Sequence, residues 1–223
     1  MNTRKNWNTV ALLASLLATV ITGVSAEEEV CASFMDGKVD ESVLETMLNA
    51  AHEGHLYRMN AATSKVGFCV SSKLKRVTGD FHDFQGGIAL TGEGAGEAQT
   101  LVAIRTGSLD TDAPAIENLL KGERFFDVTR FPEILFVSTG FKWTSSTGGL
   151  LRGDLTLRGI TRPVIFRVTL ADIEGSDVAT GRKILVKATT TINRSEFGMD
   201  TLSKLVSDDV QLCMSVEADK LGA

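Results

Sequence analysis

Apolar residues occupy every second position along most of the chain from Tyr57 onwards, the pattern of strands that bury one face. Lys, Arg, Thr, Gln or Glu stand at many of the positions between them. The alternation is kept in six runs, which are Val66-Phe68-Val70, Val102-Ile104, Leu151-Gly153-Leu155-Leu157, Val164-Phe166-Val168-Leu170, Ile184-Val186-Ala188 and Val210-Leu212-Met214-Val216. Two longer segments, residues 77–90 and 134–143, bring the number of predicted strands to eight.

Most of the stretches between these strands are short and rich in Gly, Asp or Ser. Because a helical crossover needs a longer connection, neighbouring strands are predicted to pair antiparallel. Within residues 77–90 the apolar positions change from odd at Phe81 to even at Phe84, which requires a bulge or bend near His82-Asp83. A bend of this kind turns a strand around a barrel corner. The sequence therefore predicts an all-β, antiparallel up-and-down barrel of about eight strands.

A short helix is predicted to interrupt the strands over residues 115–122. Ile116, Leu119 and Leu120 stand at i, i+3 and i+4, which places them on one helical face. Gly122 lies where a helix commonly ends.

A second helix is predicted in an N-terminal extension, residues 27–55. Asp40 and Ser42 are residue types that cap helix N-termini. The residues that follow them form an apolar helical stripe, which consists of Val43, Leu44, Met47 and Leu48. Such a helix docks on the outside of the barrel or contributes to a homodimer contact, and a loosely held tail is the remaining alternative.

The first 26 residues have the parts of a secretory signal peptide. Arg4 and Lys5 precede an uncharged apolar run over residues 10–24, and Val24-Ser25-Ala26 offers small residues to a signal peptidase. The run is shorter than the roughly 20 residues that span a bilayer, which disfavours a retained anchor. Lipid attachment needs a cysteine directly after the cleavage point, where Glu27 stands. We therefore expect export, cleavage after residue 26, and a periplasmic protein without a stable membrane anchor.

The mature chain is predicted to be acidic. The full sequence of 223 residues has 23 Lys and Arg against 28 Asp and Glu, a net charge of −5. Removing residues 1–26 takes away two basic residues and no acidic one, which leaves 21 against 28 and a net charge of −7. This charge repels nucleic acid, and no basic face interleaved with aromatic residues offsets it. A single domain, residues 56–219, is predicted to follow the extension.

Five ordered motifs resemble those of the YceI-like family of bacterial secreted, lipocalin-like proteins. They are VTGDFHDFQGG at residues 77–87, SLDT at 108–111, LLKGERFFDVTRFPEILFVST at 119–139, GDLTLRGITRP at 153–163 and NRSEFG at 193–198. The resemblance implies an extended lipocalin-type barrel that encloses a long polyisoprenoid or related lipid, such as a quinone-like one, in an apolar channel. It implies no other cofactor.

The apolar alternate positions are the candidate wall of this channel. The residues predicted to face inward and bind the ligand are Phe68, Val70, Phe81, Phe84, Val102, Ile104, Ile134, Phe136, Leu155, Leu157, Phe166, Val168, Val186 and Met214. Ordinary core packing is the alternative for each of them, because a barrel must fill its ends in any case.

The polar motifs offer little catalytic or metal chemistry. His82 and Asp83 are adjacent on a strand, so their side chains are expected on opposite faces and not as a dyad. The His52-Glu53-Gly54-His55 cluster is one residue short of the HExxH pattern, which favours a polar helix end over a zinc site. No nucleophile elbow, P-loop or dinucleotide-binding motif is present. We expect no catalytic residue and no metal ligand.

Two polar turns have both a functional and a structural interpretation. Residues 158–163 connect two strands, and Arg194 opens the last long loop. They form a polar mouth that meets a lipid head group, or they serve as turns, with Gly159 at positive φ and Arg194 paired with a carboxylate.

Three cysteines are candidates for a disulfide in an oxidising compartment. Cys69 and Cys213 lie opposite the apolar stripes of the first and last strands, which are neighbours in a closed barrel. Cys31 in the extension pairs with either of them, or the two strand cysteines pair with each other. The remaining thiol stays free or joins another subunit.

Two functions of different classes follow. The first is an exported, non-enzymatic carrier or sequestering protein for an isoprenoid or other long-chain apolar lipid. The alternative is a periplasmic stress or interaction protein whose barrel is filled and which acts through its surface. A secreted hydrolase would need a convergent polar cluster in the cavity, and the sequence offers none.

Overall fold

The computed structural model describes residues 39–91, 97–171 and 181–221. The predicted signal peptide, its cleavage after Ala26, and Cys31 lie outside these residues. Within the described ranges, no helix has the length and apolar character needed to cross a membrane.

The described residues form eleven strand segments and two α-helices, with short 3-10 turns at Thr106–Ser108 and Arg194–Phe197. The helices are α1 (Glu41–His52) and α2 (Pro114–Lys121). The strands are β1 (Leu56–Met59), β2 (Lys65–Ser72), β3 (Arg76–Phe81), β4 (Phe84–Thr91), β5 (Glu97–Arg105), β6 (Leu109–Asp110), β7 (Glu133–Trp143), β8 (Gly148–Leu157), β9 (Ile160–Ala171), β10 (Lys183–Asn193) and β11 (Val206–Lys220).

The sheet closes on itself because β1 pairs with β4 on one side and with β11 on the other. All pairings are antiparallel, and the ring runs β1-β4-β5-β7-β8-β9-β10-β11 before it returns to β1. The long β11 pairs with β2 between Val206 and Ser215 and with β1 between Ala218 and Lys220, so β1 and β2 are two parts of one barrel strand. The predicted up-and-down barrel of eight strands is confirmed.

The predicted bend in the second barrel strand is also present. β3 ends at Phe81 and β4 begins at Phe84, so the two residues between them interrupt the strand. Phe81 and Phe84 are nevertheless both buried. β3 pairs with β2 and the short β6, whereas β4 pairs with β1 and β5. The change of parity read from the sequence therefore marks the point where the strand changes partners.

Helix α1 docks on the outside of the barrel. The carboxylate of Asp40 accepts a hydrogen bond from the backbone N–H of Ser42 at 2.9 Å, as expected of an N-cap. Met47 is 1% exposed, whereas Glu45 on the opposite face is exposed. The buried side of the helix meets outward-facing residues of the sheet in a second apolar cluster, which consists of Val39, Met47, Ala50, Ala51, Leu56, Ala89, Leu101 and Ala103. The helix is thus packed against the sheet and is not a loose tail.

Helix α2 leads into an aromatic corner, which consists of Phe125, Phe126 and Phe131. The β8–β9 turn contacts this corner. Arg158 and Gly159 have φ values of 53° and 71°, the backbone signs of a two-residue type I′ hairpin. The Arg158 guanidinium donates a hydrogen bond to the carbonyl of Phe125 and lies 5.8 Å from the ring centroid of Phe131. The corner therefore has a polar tie as well as apolar packing.

Arg194 is buried and fixes the loop between β10 and β11 by hydrogen bonds to backbone carbonyls. It is 3% exposed, and its guanidinium donates to four backbone carbonyls. The acceptors are Ser207 at 2.9 Å, Thr201 at 2.8 Å, Val206 at 3.2 Å and Met199. Carbonyl oxygens, and not the predicted carboxylate, are its hydrogen-bond partners, which satisfies a buried charge and fixes the loop.

Asp208 adds a surface contact at the same loop. Its carboxylate accepts hydrogen bonds from the Ser195 hydroxyl at 2.7 Å and the Ser195 backbone N–H at 2.9 Å. These bonds lower the pKa of the Asp208 carboxyl, and hydrogen bonding by Asn193 and the charge of Arg194 lower it further. Because the folded-state pKa is depressed, this contribution to stability is present near neutral pH and is lost on acidification.

Gly153 is required where the ring of Phe136 crosses β8. A Cβ at Gly153 would lie 2.5 Å from both Cζ of Phe136 and the carbonyl oxygen of Val137. The backbone oxygen cannot move without disturbing the β7–β8 pairing. At Gly140, on β7, an added Cβ meets nothing within 4 Å.

We predict that Gly153→Ala lowers the free energy of unfolding by about 1–3 kcal/mol, because the new methyl group overpacks the interior. The matched variant Gly140→Ala changes it by about 0.5 kcal/mol or less. Urea unfolding of both variants and the parent measures the difference. Equal stabilities for the two variants would show that the close approach at Gly153 is not limiting.

We also predict that Arg194→Met lowers the free energy of unfolding by about 3 kcal/mol, because several carbonyls lose a charged donor at once. Arg194→Lys recovers only part of this, since one ammonium group cannot reproduce the fork of guanidinium N–H groups. Arg167→Met, at an exposed position on β9, is the control. Urea unfolding and hydrogen exchange of residues 198–206 report the result, and full stability of the lysine variant would contradict the interpretation.

Candidate functional site

The interior of the barrel contains an apolar cavity of about 440 Å³. Inward-facing side chains from the barrel strands form its wall, and Ile116, Leu119 and Leu120 of α2 complete it on one side. The predicted wall residues lie on this cavity with the exception of Phe84. Phe84 is 5% exposed and belongs to the surrounding apolar cluster. Alternation therefore identified the inner face of the sheet, and the role of these residues in binding stays a prediction.

Aromatic rings are prominent on the wall. The centroid of Phe126 lies 5.7 Å from that of Phe68 and 5.6 Å from that of Phe81. A second pair, Phe136 and Phe166, meets edge to face with centroids 5.3 Å apart. Such rings present broad apolar surfaces in fixed orientations.

Further wall residues were missing from the predicted set, and their signals differ in strength. Leu151, Leu212 and Val216 share the parity of predicted residues on β8 and β11, so the same rule indicates them. Phe141 and Trp143 lie on β7 beyond its irregularity between Ser138 and Gly140. Counting every second residue along β7 from Phe136 does not predict Phe141 or Trp143, because the bulge shifts the inward-facing positions by one residue.

The described wall carries few polar side chains. Those on it are Ser72, Thr100 and Arg194. The Arg194 guanidinium already donates to four carbonyls, which leaves little capacity for a ligand. Among the described residues, no buried side-chain nitrogen or oxygen is without a hydrogen-bond partner. The cavity therefore offers apolar contact and very little polar recognition.

The candidate polar clusters lie away from this cavity. His82 Nε2 is 3.5 Å from Asp110 Oδ2, and both side chains are well exposed. His55 Nδ1 is 3.6 Å from Glu53 Oε2, also at the surface. In the described part of the chain, no group of three or more His, Cys, Asp or Glu side chains is placed to hold a metal ion.

Cys69 and Cys213 lie close together on neighbouring strands and off the cavity wall, and both are free thiols in this structure. Cys69 stands opposite Gln211 and Cys213 stands opposite Gly67, so the two cysteines are diagonal neighbours. Arg76 Nη2 donates to the sulfur of Cys69 at 2.6 Å, and this bond raises the pKa of the Arg76 guanidinium. Burial raises the pKa of the Cys213 thiol.

Comparison with known proteins gives consistent matches. The model of the YceI-like domain matches residues 57–218. A UPF0312 protein of Pseudomonas putida is 33% identical over 144 residues, which is 65% of this chain and 74% of that protein. A UPF0312 protein of Pseudomonas syringae pv. tomato is 31% identical over 123 residues, 55% of this chain and 64% of its own length.

Solved structures show the same fold. BcnA of Burkholderia cenocepacia has a TM-score of 0.64 at 22% identity, covering 71% of this chain and 98% of that one. The YceI protein of Campylobacter jejuni has a TM-score of 0.57 at 25% identity, covering 64% and 84%. A polyisoprenoid binding domain from Saccharophagus degradans has a TM-score of 0.55 at 17% identity, covering 74% and 98%. Because the family model matches most of the chain, which folds as the barrel seen in these structures, this protein belongs to the YceI-like family.

Proposed function

We propose that the protein is an exported, non-catalytic carrier that holds a long-chain apolar lipid of the isoprenoid class in its barrel. The observation that carries this proposal is the cavity of about 440 Å³ with an almost entirely apolar wall. This volume lies within the range of small-molecule sites. The relative from Saccharophagus degradans, described as a polyisoprenoid binding domain, supports the same ligand class through its fold.

Apolar contact alone supplies enough free energy for this role. At about 0.8 kcal/mol for each buried methylene, a five-carbon isoprene unit contributes about 4 kcal/mol before ordering costs are subtracted. Two or three such units offset those costs without a hydrogen bond to the ligand. Affinity then depends on how much of the chain enters the cavity.

The head group of the lipid is expected to contribute little to selection. A phosphate bound inside the barrel would need a cation with free donors, and the described wall has only the occupied guanidinium of Arg194. A head group left at the mouth keeps its hydration. We therefore propose a carrier that selects by the shape and length of the apolar chain.

The cavity also bears on the alternative, a filled barrel that acts only through its surface. A filled interior would leave no void of this size, since protein cores contain few spaces larger than a water molecule. Hydrolysis would require convergent polar groups on the wall, which the described residues do not provide.

We further propose that export brings the three cysteines into an oxidising compartment, where two of them form a disulfide. Cys69 and Cys213 are diagonal neighbours, and, besides burial, the Cys69 thiol raises the pKa of the Cys213 thiol, so the two thiols lie near each other. We propose that Cys31 bonds to one of them in an oxidising compartment, with a direct Cys69–Cys213 bond as the alternative. Such a bond would tie the N-terminal extension to the outer wall.

We predict that replacing Phe166 by Asn reduces lipid recovered with the purified protein by about tenfold or more, because a polar group enters the wall. The barrel stays folded, since water in the cavity can solvate the amide. Ile165→Asn is the control, because Ile165 is 51% exposed on the same strand while Phe166 is 2% exposed. Mass spectrometry of extracted lipid and the Tm of each variant provide the measurements. A large loss of Tm, with no lipid in parent or variant, would contradict the carrier function.

Protein isolated from the periplasm is expected to begin at Glu27 and to contain a bond from Cys31 to Cys69 or Cys213. Peptide mapping without reductant, followed by mass spectrometry, identifies both the mature N-terminus and the bonded peptides. Three free thiols would contradict the proposed pairing, and an intact Met1 would contradict the proposed cleavage.

A further inference from the structure

Five leucines of the cavity wall are exposed, and one of them, Leu170, lies on β9. The other four lie on the β2–β3 turn, helix α2 and the β10–β11 loop. Leu74 is 95% exposed, Leu205 is 50%, Leu119 is 45% and Leu202 is 40%. All four also line the cavity. The apolar lining thus continues onto the outside at this end of the barrel, and we call these four residues the leucine rim.

The leucine rim is held by defined contacts. The backbone N–H of Lys73, beside Leu74, donates to the carbonyl of Leu205 at 2.9 Å, which joins the β2–β3 turn to the β10–β11 loop. The N–H of Leu205 donates in turn to the carbonyl of Leu202 at 2.8 Å. An ion pair between Lys75 and Asp112 at 3.7 Å links the same turn to the segment before α2, which carries Leu119.

Lysines flank the leucine rim although the protein as a whole is acidic. Lys73, Lys75 and Lys204 are exposed on the two loops that carry Leu74, Leu202 and Leu205. The β2–β3 turn has no carboxylate of its own, although Asp112 pairs with Lys75. In the β10–β11 loop Asp200 offsets Lys204, and on α2 Glu117 pairs with Lys121. The β2–β3 turn is therefore cationic on a chain whose net charge is −5.

We propose that the leucine rim docks on the surface of an anionic lipid bilayer, from which lipid enters the cavity. The proposal rests on the carrier function and adds the place of loading. Exposed leucines enter the boundary of the acyl chains, while lysines beside them reach the phosphate groups. A lipid chain then passes from bilayer to cavity along a continuous apolar surface.

The charge pattern distinguishes this occupant from the others. A second copy of this acidic chain would bring like charge towards the protein, and its own rim would oppose lysine to lysine. An anionic bilayer complements the lysines and accepts the leucines together. A lipid bilayer also accounts for both apolar features, because it can cover the exposed leucines and supply a lipid to the cavity beside them.

Co-sedimentation with lipid vesicles tests the proposal. The protein is isolated from cells after its natural processing, and its N-terminal residue is determined before the assay. Vesicles of phosphatidylcholine alone are compared with vesicles containing phosphatidylglycerol. We expect binding only to the second kind, and we expect Leu74→Ser to weaken it about tenfold. Ile165→Ser, at an apolar position that is 51% exposed and lies off this cavity, leaves binding unchanged. Equal binding by these two variants would overturn the proposal.

Charge is tested with a second pair of variants. Lys204→Glu should weaken binding to phosphatidylglycerol vesicles severalfold, and added salt should reduce the difference, because the interaction is screened. Lys187→Glu is the control, since Lys187 is exposed on β10 away from the cavity. Equal effects of the two reversals, or equal binding of the parent to neutral vesicles, would overturn the proposed anionic surface.

Loading and docking are separated by a measurement without vesicles. Binding of farnesol from detergent-free solution to the parent tests the cavity alone. Farnesol binding without vesicle binding would overturn the docking proposal and leave the carrier function standing. Rim-dependent vesicle binding without farnesol binding would support docking and contradict the carrier function. A parent dimer that Leu74→Ser dissociates in sedimentation would identify a second copy as the occupant instead.

Discussion

The whole architecture depends on closure of one antiparallel sheet, because a closed sheet has no free edge and separates an interior from the solvent. β1 makes the closing contact by pairing with both β4 and β11. Once the ring is complete, alternate residues of every strand must share one enclosed space, which side chains or a ligand have to fill. Gly153 shows how tightly the filled parts are packed, since it leaves room for the ring of Phe136. The cavity is the part of that space which the side chains leave open.

Much of this could be predicted from the sequence, because closure and alternation are expressed in the same two-residue period. Val102, Leu155 and Val168 lie on the cavity wall as their parity requires. Parity was less informative where a strand carries apolar residues on both faces. Leu101 and Ala103 lie beneath α1, so residues 101–104 read as one apolar run. A pattern of alternation cannot distinguish such an outer contact from a change of register.

Other features required three-dimensional information that no local pattern contains. The diagonal relation of Cys69 and Cys213 follows from the register of β2 against β11, and a shift of two residues would place Cys69 directly opposite Cys213. The partners of Arg194 are backbone carbonyls of the β10–β11 loop and of the start of β11, up to thirteen residues further on in the sequence. Every residue has such a carbonyl whatever its side chain, so the sequence does not indicate them. Exposure of Leu74 was equally hidden, since a leucine in a turn is equally compatible with burial against another element.

The position of Arg194 connects the fold to the proposed route of the lipid. A cation on an apolar wall is costly unless its donors are satisfied, and here carbonyls of the β10–β11 loop and of the first residues of β11 satisfy them. The same bonds fix the loop that presents Leu202 and Leu205 at the mouth. The charge is thereby used to hold the rim in place without making the interior polar. Backbone carbonyls satisfy the guanidinium, so no polar side chain is needed to fix the loop. The leucine rim can therefore be both fixed in position and apolar, as the proposed route of the lipid requires.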